Sequence, residues 1–372
     1  MNVAISPASL RPGSAAPGVI DCDIHPGITS ARVLFPWLSP RWQAHLETYG
    51  LRQRHGFQSG TPFPKGQPQA SRRDAFPPGG GKPGSDLDFM RAQHLDANGI
   101  SFGILNPLAI TGQGTQNPDL SAALARAVNE WQVACWTTAE PRLRASIVVP
   151  YEDGQAAAAE IEHWTCHPEH ASHFTQVLLL SRTAEPLGQR RYWPIYEAAA
   201  RHGLPVAVHA FGYGGYPITA GGWPSYYIEE MVGHAQCAQS LLTSMVFEGV
   251  FERFAGLRVV IVEAGFAWLP ALAWRLDRAW ARNRDEVPHL GRAPSEVIAK
   301  HVWLTSQPME EPARRRHLPE AIGWIGWDRL LFATDYPHWD YDDPSQVLPM
   351  PLAEQKKRDF FLNNAVSLYG VG

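Results

Sequence analysis

Beyond residue 100 the chain alternates short apolar, β-rich runs with longer stretches of helical character. The runs fall at 101–106, 144–150, 176–181, 205–209, 258–263, 301–305 and 330–335, and an earlier one, Val-Ile-Asp-Cys-Asp-Ile-His-Pro, occupies 19–26. Eight strands are therefore predicted. Helices are expected over 119–139, 154–164, 190–202, 226–254, 269–284 and 309–323, with 353–369 closing the chain. Strand followed by helix, repeated, demands parallel pairing. Eight such units fit an α/β fold of the (β/α)8 barrel type better than an open doubly wound sheet, which would normally carry a glycine-rich phosphate loop after an early strand. Neither GxGxxG nor GxxxxGK[ST] occurs.

Two stretches fall outside this pattern. Residues 50–84 hold Pro62, Pro64, Pro68, Pro77, Pro78 and three consecutive glycines at 79–81, a composition that supports no regular element. A long insertion of this kind after the first strand is expected to form a lid or an interface loop. Residues 1–18 contain Pro7, Pro12 and Pro17 with Arg11 as the only charged side chain, and are read as a flexible arm preceding one barrel domain over 19–372.

With 372 residues, 45% of them hydrophobic and 11% aromatic, the chain can bury a large core. A net charge of -4 and the lack of a basic run argue against nucleic acid, and no apolar stretch is long enough for a membrane helix. A small-molecule partner is expected instead. The four cysteines, Cys22, Cys135, Cys166 and Cys237, are far apart and form no CxxC pair. They point to reduced thiols in a cytoplasmic protein.

The chemistry gathers at strand ends. In the first run Asp21, Asp23 and His25 share one face of the strand while Ile20, Cys22 and Ile24 share the other. Burying two carboxylates and an imidazole without partners costs several kcal/mol by rough estimate, and a divalent cation would offset that cost. The fifth run ends on His209, the sixth on Glu263 and the eighth on Asp335. Active sites of such barrels stand at the carboxyl ends of the strands, so these four ends are the candidate site.

Asp-x-Asp-x-His at the first strand, His209 after the fifth, Glu-x-Gly after the sixth, Thr334-Asp335-Tyr336-Pro337 at the eighth and Asn363-Asn364-Ala365-Val366-Ser367-Leu368-Tyr369-Gly370 at the end resemble the amidohydrolase superfamily. Within it they are similar to the branch of aminocarboxymuconate semialdehyde decarboxylase and γ-resorcylate decarboxylase. The resemblance implies one divalent ion, zinc or manganese, held by Asp23, His25, His209 and Asp335. It further implies decarboxylation of a small aromatic or unsaturated carboxylate, with metal-dependent hydrolysis of an amide, ester or lactone as the alternative. Asp23 stands where many relatives have histidine, which hardens the site from zinc toward manganese. No lysine ends the fourth strand, so a mononuclear site is expected.

Glu263 replaces a histidine of the resembling enzymes. It is either the proton carrier, its pKa lifted by burial, or a partner of a metal ligand or an arginine. His234 is a weaker source of the missing imidazole, since a lone helical histidine is more often on the surface. Arg275 matches an arginine that in the resembling enzymes crosses a subunit interface to grip the substrate carboxylate, implying a homodimer or higher homo-oligomer. It could equally be a solvated helix residue beside Asp277. Arg182 is a second candidate for the carboxylate, and His338 and Trp339 could line the pocket. Asp21 is expected to support the structure around the ligands.

Overall fold

The computed structural model describes residues 18–51, 70–113, 115, 117–210 and 217–371. Eight strands form one sheet in sequence order: β1 (Val19–Ile24), β2 (Ile100–Leu105), β3 (Leu143–Val148), β4 (Phe174–Leu180), β5 (Val206–His209), β6 (Val259–Val262), β7 (Val302–Thr305) and β8 (Leu330–Leu331). Every neighbouring pair from β1 to β8 is parallel. This is the expected (β/α)8 barrel. The strands read as nearly continuous apolar runs because helices on one side and the barrel interior on the other bury both faces.

Closure comes from a seam between the first and last strands. The amide of Cys22 donates to the Phe332 carbonyl at 3.0 Å, that of Asp335 to Asp23 at 3.1 Å, and that of His25 to Tyr336 at 2.8 Å. Regular pairing with β7 stops at Leu331, yet the chain keeps beside β1 as far as Tyr336, which bridges to Ile24. Asp21 ties the seam together. Its carboxylate accepts from the Thr334 amide (2.9 Å), the Thr334 hydroxyl (2.5 Å) and the Asp23 amide (3.2 Å), and it lies 2.8 Å from His94 Nε2.

The helices depart from expectation where backbone chemistry intervenes. The long helix expected over 226–254 is two, Tyr227–Phe247 and Val250–Arg253, because Gly249 takes φ 77° between them. The one expected over 309–323 begins only at His317, after Pro308 and Pro312, which have no amide proton to give a helix. Helices Pro40–Tyr49 and Pro294–His301 were not anticipated, although each carries proline in its first turn, where that residue favours helix initiation. Of the insertion, residues 52–69 lie outside the described residues, as do 1–17 of the arm. Residues 70–84 run along the carboxyl ends of the seam strands. Ser71 pairs with His338, the Arg72 amide donates to Pro337, and Gly84 at φ 71° lies so close to the His25 carbonyl that no Cβ would fit. No described helix is long and apolar enough to cross a membrane.

Replacing Asp21 by alanine strands three donors and His94 in the closed seam. Asp21→Ala should lower unfolding stability by about 3–5 kcal/mol, read as a lower denaturant midpoint in urea titration followed by circular dichroism. A midpoint within experimental error of wild type would remove Asp21 from its supporting role.

Candidate metal centre

Four strand ends converge on one buried point. His25 follows β1, His209 ends β5, Glu263 follows β6, and Asp335 lies four residues past β8. Asp23, within β1, His209 and Asp335 are fully buried, and His25 and Glu263 are nearly so. Backbone conformation aims two of them. Glu263 and Asp335 adopt φ 54° and 62°, a left-handed region in which a residue with a side chain is strained, and in which the side chain leaves the direction that a continuing strand would give it.

The distances describe a compact carboxylate and imidazole cluster. His25 Nε2 lies 2.7 Å from Asp335 Oδ1 and 3.3 Å from Asp23 Oδ1. His209 Nε2 lies 3.0 Å from Glu263 Oε2 and 3.3 Å from Asp23 Oδ2. His338 Nδ1 reaches the same Asp335 Oδ1 at 2.6 Å, and its ring stacks on that of His25, 4.4 Å between centroids.

Supporting contacts come from residues that sequence reasoning passed over. Asn106, just beyond β2, serves two cluster members. Its carbonyl takes the His25 Nδ1 proton at 2.7 Å, so Nε2 is turned to the centre, and its side-chain amide donates to Asp23 Oδ1 at 2.8 Å. Asn106 is itself held by Ser146 Oγ (2.6 Å) and Gln176 Nε2 (3.0 Å). Gln307, beyond β7, donates to Asp335 Oδ2 at 3.1 Å. The only signal in the sequence was a position, a polar residue at or just past a strand's carboxyl end.

Electrostatics divide the carboxylates. Burial raises the pKa of Asp23, but the adjacent charges of His25 and His209 outweigh it and hold the group well below the usual range. Burial likewise opposes ionisation of Glu263, and His209 again prevails, taking it down to about 2. The lift expected from burial alone is thus opposed by the imidazole of His209 set against the carboxylate. Asp335 goes the other way: burial, then the charge of Glu263, raise it well above its ordinary value. For His209 burial is outweighed by Asp23 and Glu263, and its pKa rises to about 9.

Such a donor set fits a divalent ion. Ligand atoms of Asp23, His25, His209 and Glu263 lie within 4.8 Å of one another, and so do those of His25, Glu263, Asp335 and His338. The four expected ligands are thus spread over two overlapping groups that share His25 and Glu263. Asp23 Oδ2 and Glu263 Oε2 are buried without a hydrogen bond of normal geometry, as oxygens awaiting a cation would be.

The remaining candidates lie further out. His234 is buried on the helix Tyr227–Phe247, not on the surface, and burial takes its pKa down to about 4 against the opposing charge of Glu263. Arg182 forms a largely buried ion pair with Glu230. Arg275 is exposed on the helix Leu269–Arg282, while its neighbour Asp277 accepts from the Ser295 amide at 2.9 Å. Trp339 donates to the hydroxyl of Tyr227 at 3.0 Å.

Among known proteins, γ-resorcylate decarboxylase of Polaromonas sp. (strain JS666 / ATCC BAA-500) is 25% identical over 303 residues, 76% of this chain and 87% of that protein. An amidohydrolase structure from Mycobacterium avium subsp. paratuberculosis K-10 superposes with a TM-score of 0.73 at 21% identity, covering 96% of this chain and all of that one. The 5-carboxyvanillate decarboxylase of Novosphingobium aromaticivorans DSM 12444, complexed with manganese and 4-hydroxy-3-methoxy-5-nitrobenzoic acid, gives 0.70 at 19% identity over 95% of this chain and 96% of its own. At these identities the two structural likenesses speak to the fold. The amidohydrolase family pattern matches residues 20–371, from the seam's first strand to the last helix, and on that match the chain belongs to the amidohydrolase family.

Proposed function

We propose that this chain is a divalent-metal-dependent, non-oxidative decarboxylase of a small aromatic or unsaturated carboxylate. The observation that carries the reading is the buried cluster of Asp23, His25, His209, Glu263 and Asp335 at the barrel's carboxyl end. Similarity to γ-resorcylate decarboxylase over most of both chains favours loss of carbon dioxide over hydrolysis. Asp23, His25, His209 and Asp335 are the ligands we assign to a single ion. Bound there, it would supply positive charge to the substrate oxygens beside the scissile carboxylate. Oxygen-rich ligation, and the manganese of the carboxyvanillate decarboxylase, support manganese over zinc.

The protein's own groups would manage the proton. Glu263, buried among the ligands, begins as a base. It takes a proton from a substrate hydroxyl or from water and delivers it to the carbon that bears the carboxylate; the carbon–carbon bond then breaks, its electron pair stays with the protonated carbon, and carbon dioxide leaves. His338, stacked on His25, walls the pocket at the β8 side. Arg275, exposed on one subunit, would grip the substrate carboxylate of a neighbouring subunit in a homodimer or larger assembly. All four cysteines are free, which supports a reducing, cytoplasmic setting.

Removing one imidazole should release the barrel ion. His209→Ala is expected to fold yet lose one equivalent of divalent metal relative to wild type by elemental analysis; full retention would dismiss His209 as a ligand. Glu263→Gln keeps shape and reach but cannot accept a proton, so metal content should hold while turnover falls roughly 100-fold or more. In deuterated water the wild-type product of a hydroxybenzoate substrate should carry deuterium at the carbon that lost carbon dioxide. Labelled solvent oxygen in the product, with no carbon dioxide released, would establish the hydrolase alternative.

For the arginine, mixing the inactive variants Arg275→Ala and Asp335→Asn should regenerate activity in hybrid assemblies, each of which holds one intact site. Proven subunit exchange without recovery would rule out action across an interface.

A further inference from the structure

We propose a second metal site on the outside of the barrel, formed by Glu162, Cys166 and His202, for a transition ion of the zinc class. The geometry of the three side chains supports it, and the composition of the segment that carries two of them agrees. Residues 162–173, Glu-His-Trp-Thr-Cys-His-Pro-Glu-His-Ala-Ser-His, hold four of the chain's 15 histidines and one of its 4 cysteines, the kind of Cys/His-rich short tract that binds metals. The fold then brings a third donor against that tract from a different helix.

Glu162 lies on the helix Gly154–Thr165 and Cys166 is its C-cap, four residues on, so both face the same side. His202 is the C-cap of the neighbouring helix Trp193–Arg201. Helices that follow parallel strands run back toward the amino-terminal face, so the cluster lies at the end of the barrel opposite the candidate centre. Ligand atoms of the three residues lie within 4.8 Å of one another. Glu162 Oε2 is 2.7 Å from His202 Nε2 and 3.5 Å from Cys166 Sγ.

These spacings are near those of a tetrahedral ion. Bonds of about 2.0 Å to nitrogen and oxygen and about 2.3 Å to sulfur place neighbouring ligand atoms roughly 3.3–3.5 Å apart. The sulfur is already at that distance, and the imidazole must withdraw by about 0.6 Å. Arg201 occupies Glu162 Oε1 at 2.7 Å and leaves Oε2 to the ion. Its positive charge opposes a cation, but the carboxylate and the thiolate formed on binding supply two negative charges against it. Cys166 is exposed, so both the ion and the departing thiol proton have access to water.

Cobalt(II) separates this site from the barrel centre, whose donors are nitrogen and oxygen only. Titrating the chelator-stripped full chain with cobalt should raise a near-ultraviolet sulfur-to-cobalt charge-transfer band whose full intensity corresponds to one cobalt bound in addition to that of the barrel centre. Cys166→Ser should abolish the band and lower bound cobalt by one equivalent, and His202→Ala should weaken the band's half-saturation at least tenfold. Zinc should also slow modification of Cys166 by a thiol reagent at least tenfold in wild type and not in His202→Ala. A missing band, a band that survives Cys166→Ser, or labelling that ignores zinc would overturn the proposal.

Discussion

The seam between β1 and the extended chain beyond β8 is the constraint on which the site depends. Asp23 and His25 come from one side of it and Asp335 from the other, more than 300 positions away in sequence, and three backbone hydrogen bonds bind the two sides. Asp21 sits beneath them with its carboxylate fully committed to Thr334, His94 and the Asp23 amide. A carboxylate in that place is costly to bury, and it is tolerable only because almost every lone pair meets a donor that the opposite strand supplies. Register follows from this. A slip of one residue would turn Asp21, Asp23 and His25 to the helix side and drive Ile20, Cys22 and Ile24 into the polar centre.

Charge at the centre is arranged so that the groups cannot all be satisfied by one another. Two imidazoles favour Asp23 and Glu263 as anions, while burial and then those anions push the pKa of Asp335 up. The left-handed backbone at Glu263 and Asp335 adds strain of order 1–3 kcal/mol each. Packing gives no reason to aim two acidic side chains at the same buried point. A doubly charged ion gives one, since it would favour the ionised form of every carboxylate around it.

Much of this was legible in residue order. Apolar runs finishing on His209, Glu263 and Asp335 revealed both the barrel and the rim, because a parallel strand buried on both faces has few reasons to end in a charged residue. Asn106 and Gln307 stayed hidden for a physical reason. Amides are common at strand ends, and their importance lies in which carboxylate or ring they reach, a matter of side-chain direction across neighbouring strands. His94 was equally silent, since its partner Asp21 is 73 residues away. Helix ends misled where one residue decided them, as at Gly249. The ionisation of Glu263 could not be read at all. Burial was foreseeable, but its balance against His209 is set by a 3.0 Å contact between two strands.

That contact bears on why a glutamate can stand where the resembling enzymes carry histidine. A neutral imidazole there would leave His209 with Asp23 as its only close anion. Glutamate supplies a second, and the pKa of His209 stays raised to about 9 although the ring is wholly buried. The same carboxylate is near enough to oppose the effect of burial on His234 and to add to the rise at Asp335. Its charge therefore reaches the groups around the pocket from a single strand end. The ionisation of Glu263, His209 and Asp335 is thus linked through that one strand end, so a change of charge at any one of them shifts the other two.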